Sequence, residues 1–386
     1  MTPRALLLCG LASTVAFASE AFFKAEVVDA VGPMKLPTTP GDPAWKGIAG
    51  KTFRMTPQRS VRLNDKTANE VLKSAPGSSE VLVKAAASAS ELVLYLEWKD
   101  PAKEVVREDE SNVFADSIAV ELPEKIGRGM RLPAISMGDD DMHVQVALLR
   151  ATKAGAQLSR FTAAGFGSLT RQAPASEANS SMQYDEAQKT WRAVVTMPLE
   201  AGTPGMVPVA FAAWDGARGE RAGYKRLSSW HFVRLANQAL DPKWVEQMAF
   251  GYYPGDLGDA AAGKALAEGV CVACHHLPGK AFAPAGIAPS LEAIGAIAAP
   301  SYLRDSITAP SRVILHELNP NQHYATGGPA DKNGALPNSD AFRWSARGAD
   351  GKWVSKMPPF TQFTPAQLAD LIAFLKTLDG PPLEKP

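Results

Sequence analysis

The sequence predicts a multidomain chain, with an antiparallel β-sandwich over residues 19–249 followed by an all-α domain over 257–380. Three observations carry this. Up to about residue 235 the chain is a series of short β-rich runs, several alternating apolar and polar side chains, cut by Gly, Pro and Asp. Beyond residue 257 come two clear helix patterns with capping residues. Near the first of these lies Cys271-Val-Ala-Cys274-His275, a spacing that belongs to helical covalent haem attachment.

In chain order, residues 1–18 read as a signal peptide. Arg4 supplies the positive end, 5–15 the apolar core, and Ala16-Phe17-Ala18 the cleavage site. The segment is short for a membrane span. Cleavage would remove Cys9 and leave Cys271 and Cys274 in the mature chain, so no disulfide would be available once both hold haem. Export to the periplasm also suits covalent haem, which is attached outside the cytoplasm. Forty basic and forty acidic residues give no net charge, and without a polybasic run nothing points to nucleic acid.

Within 19–249, residues 80–84, 91–98, 117–122, 142–149, 207–214 and 228–235 read as strands, and 182–197 as a hairpin. Residues 153–178 are small and polar and read as a long loop. No repeat at a solenoid or propeller period is present. Residues 250–256 (FGYYPGD) form a short, proline-braced linker that should hold the two domains together. Residues 381–386 are a tail.

In the second domain, 259–269 reads as a helix capped by Asp259. Cys271 and Cys274 share a helical face, so each thiol can form a thioether with one porphyrin vinyl group, and His275 can turn its imidazole onto the iron. A zinc site would need about four ligands, and no second cysteine pair exists. A thioredoxin-like pair would normally follow a strand. The sixth ligand is expected at Met357, in Ser355-Lys-Met357-Pro-Pro-Phe360, just before a helix over 364–378 capped by Thr364. A thioether opposite an imidazole leaves no open iron position, which suits electron transfer. His276, His316 and His323 are rival ligands.

With Ile287-Ala-Pro289-Ser-Leu291, Ile294-Gly295 and Tyr302-Leu-Arg-Asp-Ser-Ile307 added to these features, residues 255–380 resemble class I cytochrome c. A long polar stretch over 317–352 departs from that pattern and reads as a surface insertion.

A second resemblance covers most of 25–235. It rests on Leu96-Glu-Trp98-Lys-Asp100, Asp116-Ser-Ile-Ala-Val-Glu-Leu-Pro123, Met137-Gly138 and Ala213-Trp-Asp-Gly-Ala-Arg-Gly-Glu-Arg-Ala-Gly-Tyr-Lys225, with Trp230 beyond. These segments are similar to the haem b-binding γ subunits of periplasmic molybdenum enzymes, such as ethylbenzene and dimethylsulfide dehydrogenases and selenate and chlorate reductases. The resemblance implies a non-covalent haem b held between Met137 and Lys225, the lysine as a neutral amine in a desolvated site. Ala147 and Leu149 stand where that family tends to carry aromatic residues. Met130 and Met142 are alternatives to Met137, and His143 or His231 would give a Met/His pair. Asp139-Asp-Asp141 lacks calcium-loop spacing and reads as a solvated turn.

The resulting expectation is a periplasmic dihaem electron-transfer subunit rather than an enzyme. Its partners would be a molybdenum catalytic subunit, an iron–sulfur subunit and a soluble cytochrome or membrane carrier. The alternative is a haem-free ligand- or carbohydrate-binding sandwich carrying a monohaem cytochrome c, because sandwich folds host both.

Overall fold

The computed structural model describes residues 27–384 except 33–34, 59–61, 64–76, 108–112, 136, 166–167, 174–179, 201, 237, 253–257, 281–287, 315–323 and 326–344. The expected signal peptide lies outside the described residues. So do His316 and His323.

The first region is built from β1 (Val27–Val31), β2 (Lys51–Pro57), β3 (Arg62–Leu63), β4 (Ser79–Ala87), β5 (Glu91–Lys99), β6 (Ser117–Pro123), β7 (Val144–Thr152), β8 (Gly155–Ala163), β9 (Thr170–Arg171), β10 (Ser181–Asp185), β11 (Thr190–Pro198), β12 (Met206–Trp214), β13 (Arg226–Leu227) and β14 (His231–Leu235). All but β3 form one continuous sheet, whose main path runs β10-β11-β5-β4-β1-β14-β12-β6-β7-β8-β9. β2 pairs with both β4 and β13, and β13 with β12, so β4, β1, β14, β12, β13 and β2 close a ring.

Two expectations need correction here. The sheet is not wholly antiparallel, because β1 runs parallel to both neighbours, pairing Val27 with Phe232 and Ala30 with Ala85. Its partners are remote in sequence, so no tight turn imposes direction. Residues 153–178, expected as a loop, contain β8 and β9. β8 pairs along its length with β7, yet buries few side chains, so its backbone bonding has no apolar signature in the sequence. The 182–197 hairpin forms as β10 and β11, in register from Ser181↔Val194 to Asp185↔Thr190.

Alternation along the strands divides the region. Ile118, Val120 and Leu122 of β6 enter the main core with Leu92, Leu94, Leu96, Val195 and Phe211. Ser117, Ala119 and Glu121 face the other way. Helix α1 (Pro242–Tyr252) follows, its first turn capped by Asp241, which accepts from the Lys243 and Trp244 amides. Trp244 is buried and donates from its indole nitrogen to the Met206 carbonyl at 3.2 Å.

The second region holds α2 (Ala260–Val270), α3 (Ile294–Ile297), α4 (Pro300–Thr308) and α5 (Pro365–Lys376). Asp259 caps α2, and Thr364 with Gln367 forms a capping box on α5. The region is not all-α. Strands β16 (Ser345–Arg347) and β17 (Trp353–Ser355) pair as a hairpin across Asp350-Gly351, where Gly351 has φ 76°. The two residues of β15 (Tyr324–Ala325) pair with β3. The expected 317–352 insertion therefore contributes strands on either side of its undescribed part.

The two regions meet at α1 and α4 and along the tail. The Ser78 amide donates to the Pro382 carbonyl and the Glu384 amide to the Ser78 carbonyl, and the Glu384 carboxylate pairs with Arg218 and Arg226 and accepts from the Gly77 amide. Within the second region, α2 crosses α5 at Gly263, where a Cβ would collide with the Asp370 carbonyl. Gly263→Ala should therefore cost about 1–3 kcal/mol in thermal unfolding. Gly269→Ala, on the same helix with nothing nearby, should be neutral or stabilising by up to ~1 kcal/mol.

Candidate functional site

The chain turns sharply where α2 ends. Cys271–Ala273 form a single 3-10 turn, and the Cys274 and His275 amides both donate to the Cys271 carbonyl, at 3.1 and 2.8 Å. This turn sets Cys271, Cys274 and His275 on the wall of a cavity of about 240 Å³. His275 Nδ1 lies 2.7 Å from the Pro289 carbonyl. Burial lowers the imidazole pKa, so the neutral ring donates from Nδ1 and leaves the Nε2 lone pair for a metal. Met357 and Phe360 line the same cavity, and the Met357 amide donates to Ser355 Oγ at 3.1 Å. The Phe360 amide donates to the Ile307 carbonyl, which ties the methionine loop to α4. His276 points elsewhere, with Nδ1 3.3 Å from Ser290 Oγ, and does not line the cavity.

A larger cavity of about 470 Å³ lies on the face of β12, β6 and β7 turned away from the main core. Small side chains at Ala119, Ala210 and Ala212 open the room, and Phe161, Trp214 and Phe114 wall it. The volume falls in the ~300–1,000 Å³ range of cofactor pockets. Met137 and Lys225 both line this cavity. Met130, Met142, His143 and His231 do not. His143 is exposed, 3.2 Å from Glu124, while His231 is buried and stacks on Phe53 with ring centroids 3.8 Å apart. Ala147 and Leu149 lie in the main core, so they take no part in the cavity wall.

Met137 sits in a tightly held loop with φ 75°, a backbone region that costs a non-glycine residue energy. The loop is fastened by Asp139, which accepts a two-pronged bond from Arg131 at 2.5 and 2.8 Å together with the amides of Ala134, Asp141 and Met142. Burial alone would raise the Asp139 pKa, but Arg131 and the amides hold it below the ordinary carboxylate range. The acidic run expected as a solvated turn is therefore, at Asp139, a buried anchor. Trp230 adds a brace, donating from its indole to the Pro133 carbonyl at 3.0 Å.

Lys225 Nζ lies over the Trp214 ring, 5.4 Å from its centre. Desolvation lowers the Lys225 pKa against the opposing attraction of Glu121, and burial pushes Glu121 up. Glu121 Oε1 is buried with no hydrogen-bond partner. These are the conditions under which a lysine presents a neutral amine. Arg150 and Arg221 also line the cavity and offer cations for a carboxylate-bearing ligand. The lining fits a largely apolar group with acidic substituents, and Met137 and Lys225 would supply a thioether and an amine donor to it. Glu121 and Arg150 escaped the sequence reading, although Glu121 shares the outward register of Ala119.

The family model for cytochrome c matches residues 260–379. Residues 260–379 are a cytochrome c domain. That domain implies covalent haem. The chain is also 28% identical over 167 residues to the chlorate reductase subunit gamma of Ideonella dechloratans, over 41% of this chain and 66% of that protein, just under two thirds of its length. Two solved structures of a family 9 carbohydrate-binding module from Caldicellulosiruptor kristjanssonii, with glucose and with cellotriose, cover 56% of this chain. They cover 98% and 100% of their own chains, at 12% and 14% identity and a TM-score of 0.31, too low to bear on fold or ligand.

Outside the cytochrome c domain, Asp100, Glu104, Asp116 and Asp215 bring carboxylate oxygens within 4.8 Å of one another. Asp116 accepts from Trp191 Nε1 and from the amides of Glu104 and Gly216, so it joins the core to two cavity loops. Burial and mutual repulsion raise Asp100 to about 8 and Glu104 to about 7. These folded-state pKa values exceed the unfolded ones, so the stability they contribute is full below about pH 4 and is lost as pH rises through 7–8. Thermal unfolding between pH 4 and 8 should show this decline, and Asp100→Asn should flatten it. An unchanged slope in that variant would place the pH dependence elsewhere.

Proposed function

We propose that the chain is a dihaem electron-transfer subunit with no catalytic site of its own. One haem is covalently bound through Cys271 and Cys274 with His275 and Met357 on its iron; the other is a non-covalent haem b held by Met137 and Lys225. The observation that carries the reading is that Met137 and Lys225, remote in sequence, line one cavity of suitable size. Each haem would supply a one-electron redox centre, one held by His275 and Met357 and the other by Met137 and Lys225. The similarity to a chlorate reductase gamma subunit supports partnership with a molybdenum catalytic subunit and an iron–sulfur subunit. The cytochrome c domain would pass electrons to or from a soluble cytochrome or membrane carrier. The leader read over residues 1–18 supports a periplasmic location. No helix among the described residues is long and apolar enough to cross a membrane.

A pyridine haemochrome assay should find one b and one c haem per chain. Finding c alone would favour the alternative, a haem-free binding domain carrying a monohaem cytochrome. Lys225→Ala should strip or convert the b haem and spare the covalent one. A b spectrum unchanged in that variant but lost in His231→Ala or His143→Ala would move the site to a Met/His pair. Cys271→Ala or Cys274→Ala should lose covalent haem. Met357→Ala should keep it while removing the near-infrared sulfur-to-iron band and lowering the potential; survival of the band would exclude Met357.

A further inference from the structure

The two cavities are joined through packed side chains, and one residue touches both sides of the junction. Met137, Ile135, Val146 and Ala210 line the larger cavity and also belong to, or pack against, a cluster with Trp230, Trp244 and Met248. That cluster extends across the domain boundary to Ala299, the cap residue before α4, and to Tyr302 of α4. Tyr302 packs equally against the core of the cytochrome c domain and lines the smaller cavity beside Cys271, His275 and Met357. Its hydroxyl engages Ser306, also on the smaller cavity, and lies in the field of the Arg131–Asp139 pair that fastens the Met137 loop.

From this placement we infer that Tyr302 is the crossing point for electrons between the two cavities, a bridge rather than a redox-active or catalytic residue. The inference rests on the dihaem reading above. With both haems bound, one electron would pass from a ferrous centre held in the larger cavity to a ferric centre held in the smaller. No bond is made or broken and no proton need move. Tunnelling through contiguous packed atoms is faster than across a void. Close packing at Tyr302 therefore sets the coupling, and removing its ring opens a gap in the path.

The test uses the full-length chain with its covalent haem in place. The non-covalent haem is extracted and the larger cavity refilled with zinc protoporphyrin. A light flash then makes the porphyrin triplet, which gives one electron to the ferric covalent haem and becomes a cation radical, so the triplet lifetime reads the coupling without any partner enzyme. Tyr302→Ala and Tyr302→Leu should slow this quenching several-fold, beyond what any change in the covalent haem's content or midpoint potential, measured on the same samples, accounts for. Tyr302→Phe should retain the wild-type rate if the ring carries the coupling; a loss there as well would assign it to the hydroxyl of the same residue. Tyr302→Leu keeps an apolar side chain in place and carries the test if the alanine variant fails to fold. Wild-type quenching in Tyr302→Leu would overturn the inference. Failure of the wild-type chain to take up porphyrin would instead overturn the haem b reading.

Discussion

The two-faced character of β6, β7 and β12 is the constraint on which the rest of the structure depends. A strand turns successive side chains to opposite faces, so one run of residues can seal a core and floor a cavity at once. In β6 the large side chains Ile118, Val120 and Leu122 go inward, while Ser117, Ala119 and Glu121 face the cavity. A slip of one residue would exchange these sets, filling the cavity with Ile and Val and placing a carboxylate in the core.

The cavity's donors are held by different means. Met137 comes from a loop whose left-handed backbone persists because Asp139 fixes the residues around it. Breaking a buried, hydrogen-bonded charge pair is costly, and that cost keeps the loop in place. Lys225 needs no comparable backbone strain. Its chemistry depends on exclusion from water by Trp214 and the cavity walls, which disfavours the ammonium form. In the cytochrome c domain the positioning is simpler, since one turn after α2 places both cysteines and the histidine, and one carbonyl at Pro289 fixes the imidazole tautomer.

Much of the cytochrome c domain was legible because its signals are local. Cys271 to His275 are adjacent, and Asp259 and Thr364 cap the helices they precede. In the N-terminal region, β4 to β7, β10 to β12 and β14 could be read from β-rich runs. β1, β2 and β8 could not, because β1 has neighbours remote in sequence and β8 buries few apolar groups. Helix α1 was missed although Asp241 caps it and Trp244 anchors it. The acidic run at 139–141 was read by composition, and only tertiary contact with Arg131 reveals Asp139 as an anchor. The role inferred for Tyr302 is invisible in sequence for the same reason. It depends on two domains meeting.

The tail beyond the cytochrome c domain shows that the chain is not a pair of interchangeable parts. Glu384 returns to the N-terminal region and neutralises Arg218 and Arg226, the latter immediately after Lys225 and 6% exposed. Replacing everything after residue 257 with another carrier would therefore remove a counter-charge beside the neighbouring pocket. A recombination joint placed at 253–257 would look clean in a domain diagram and still damage the cavity on its far side.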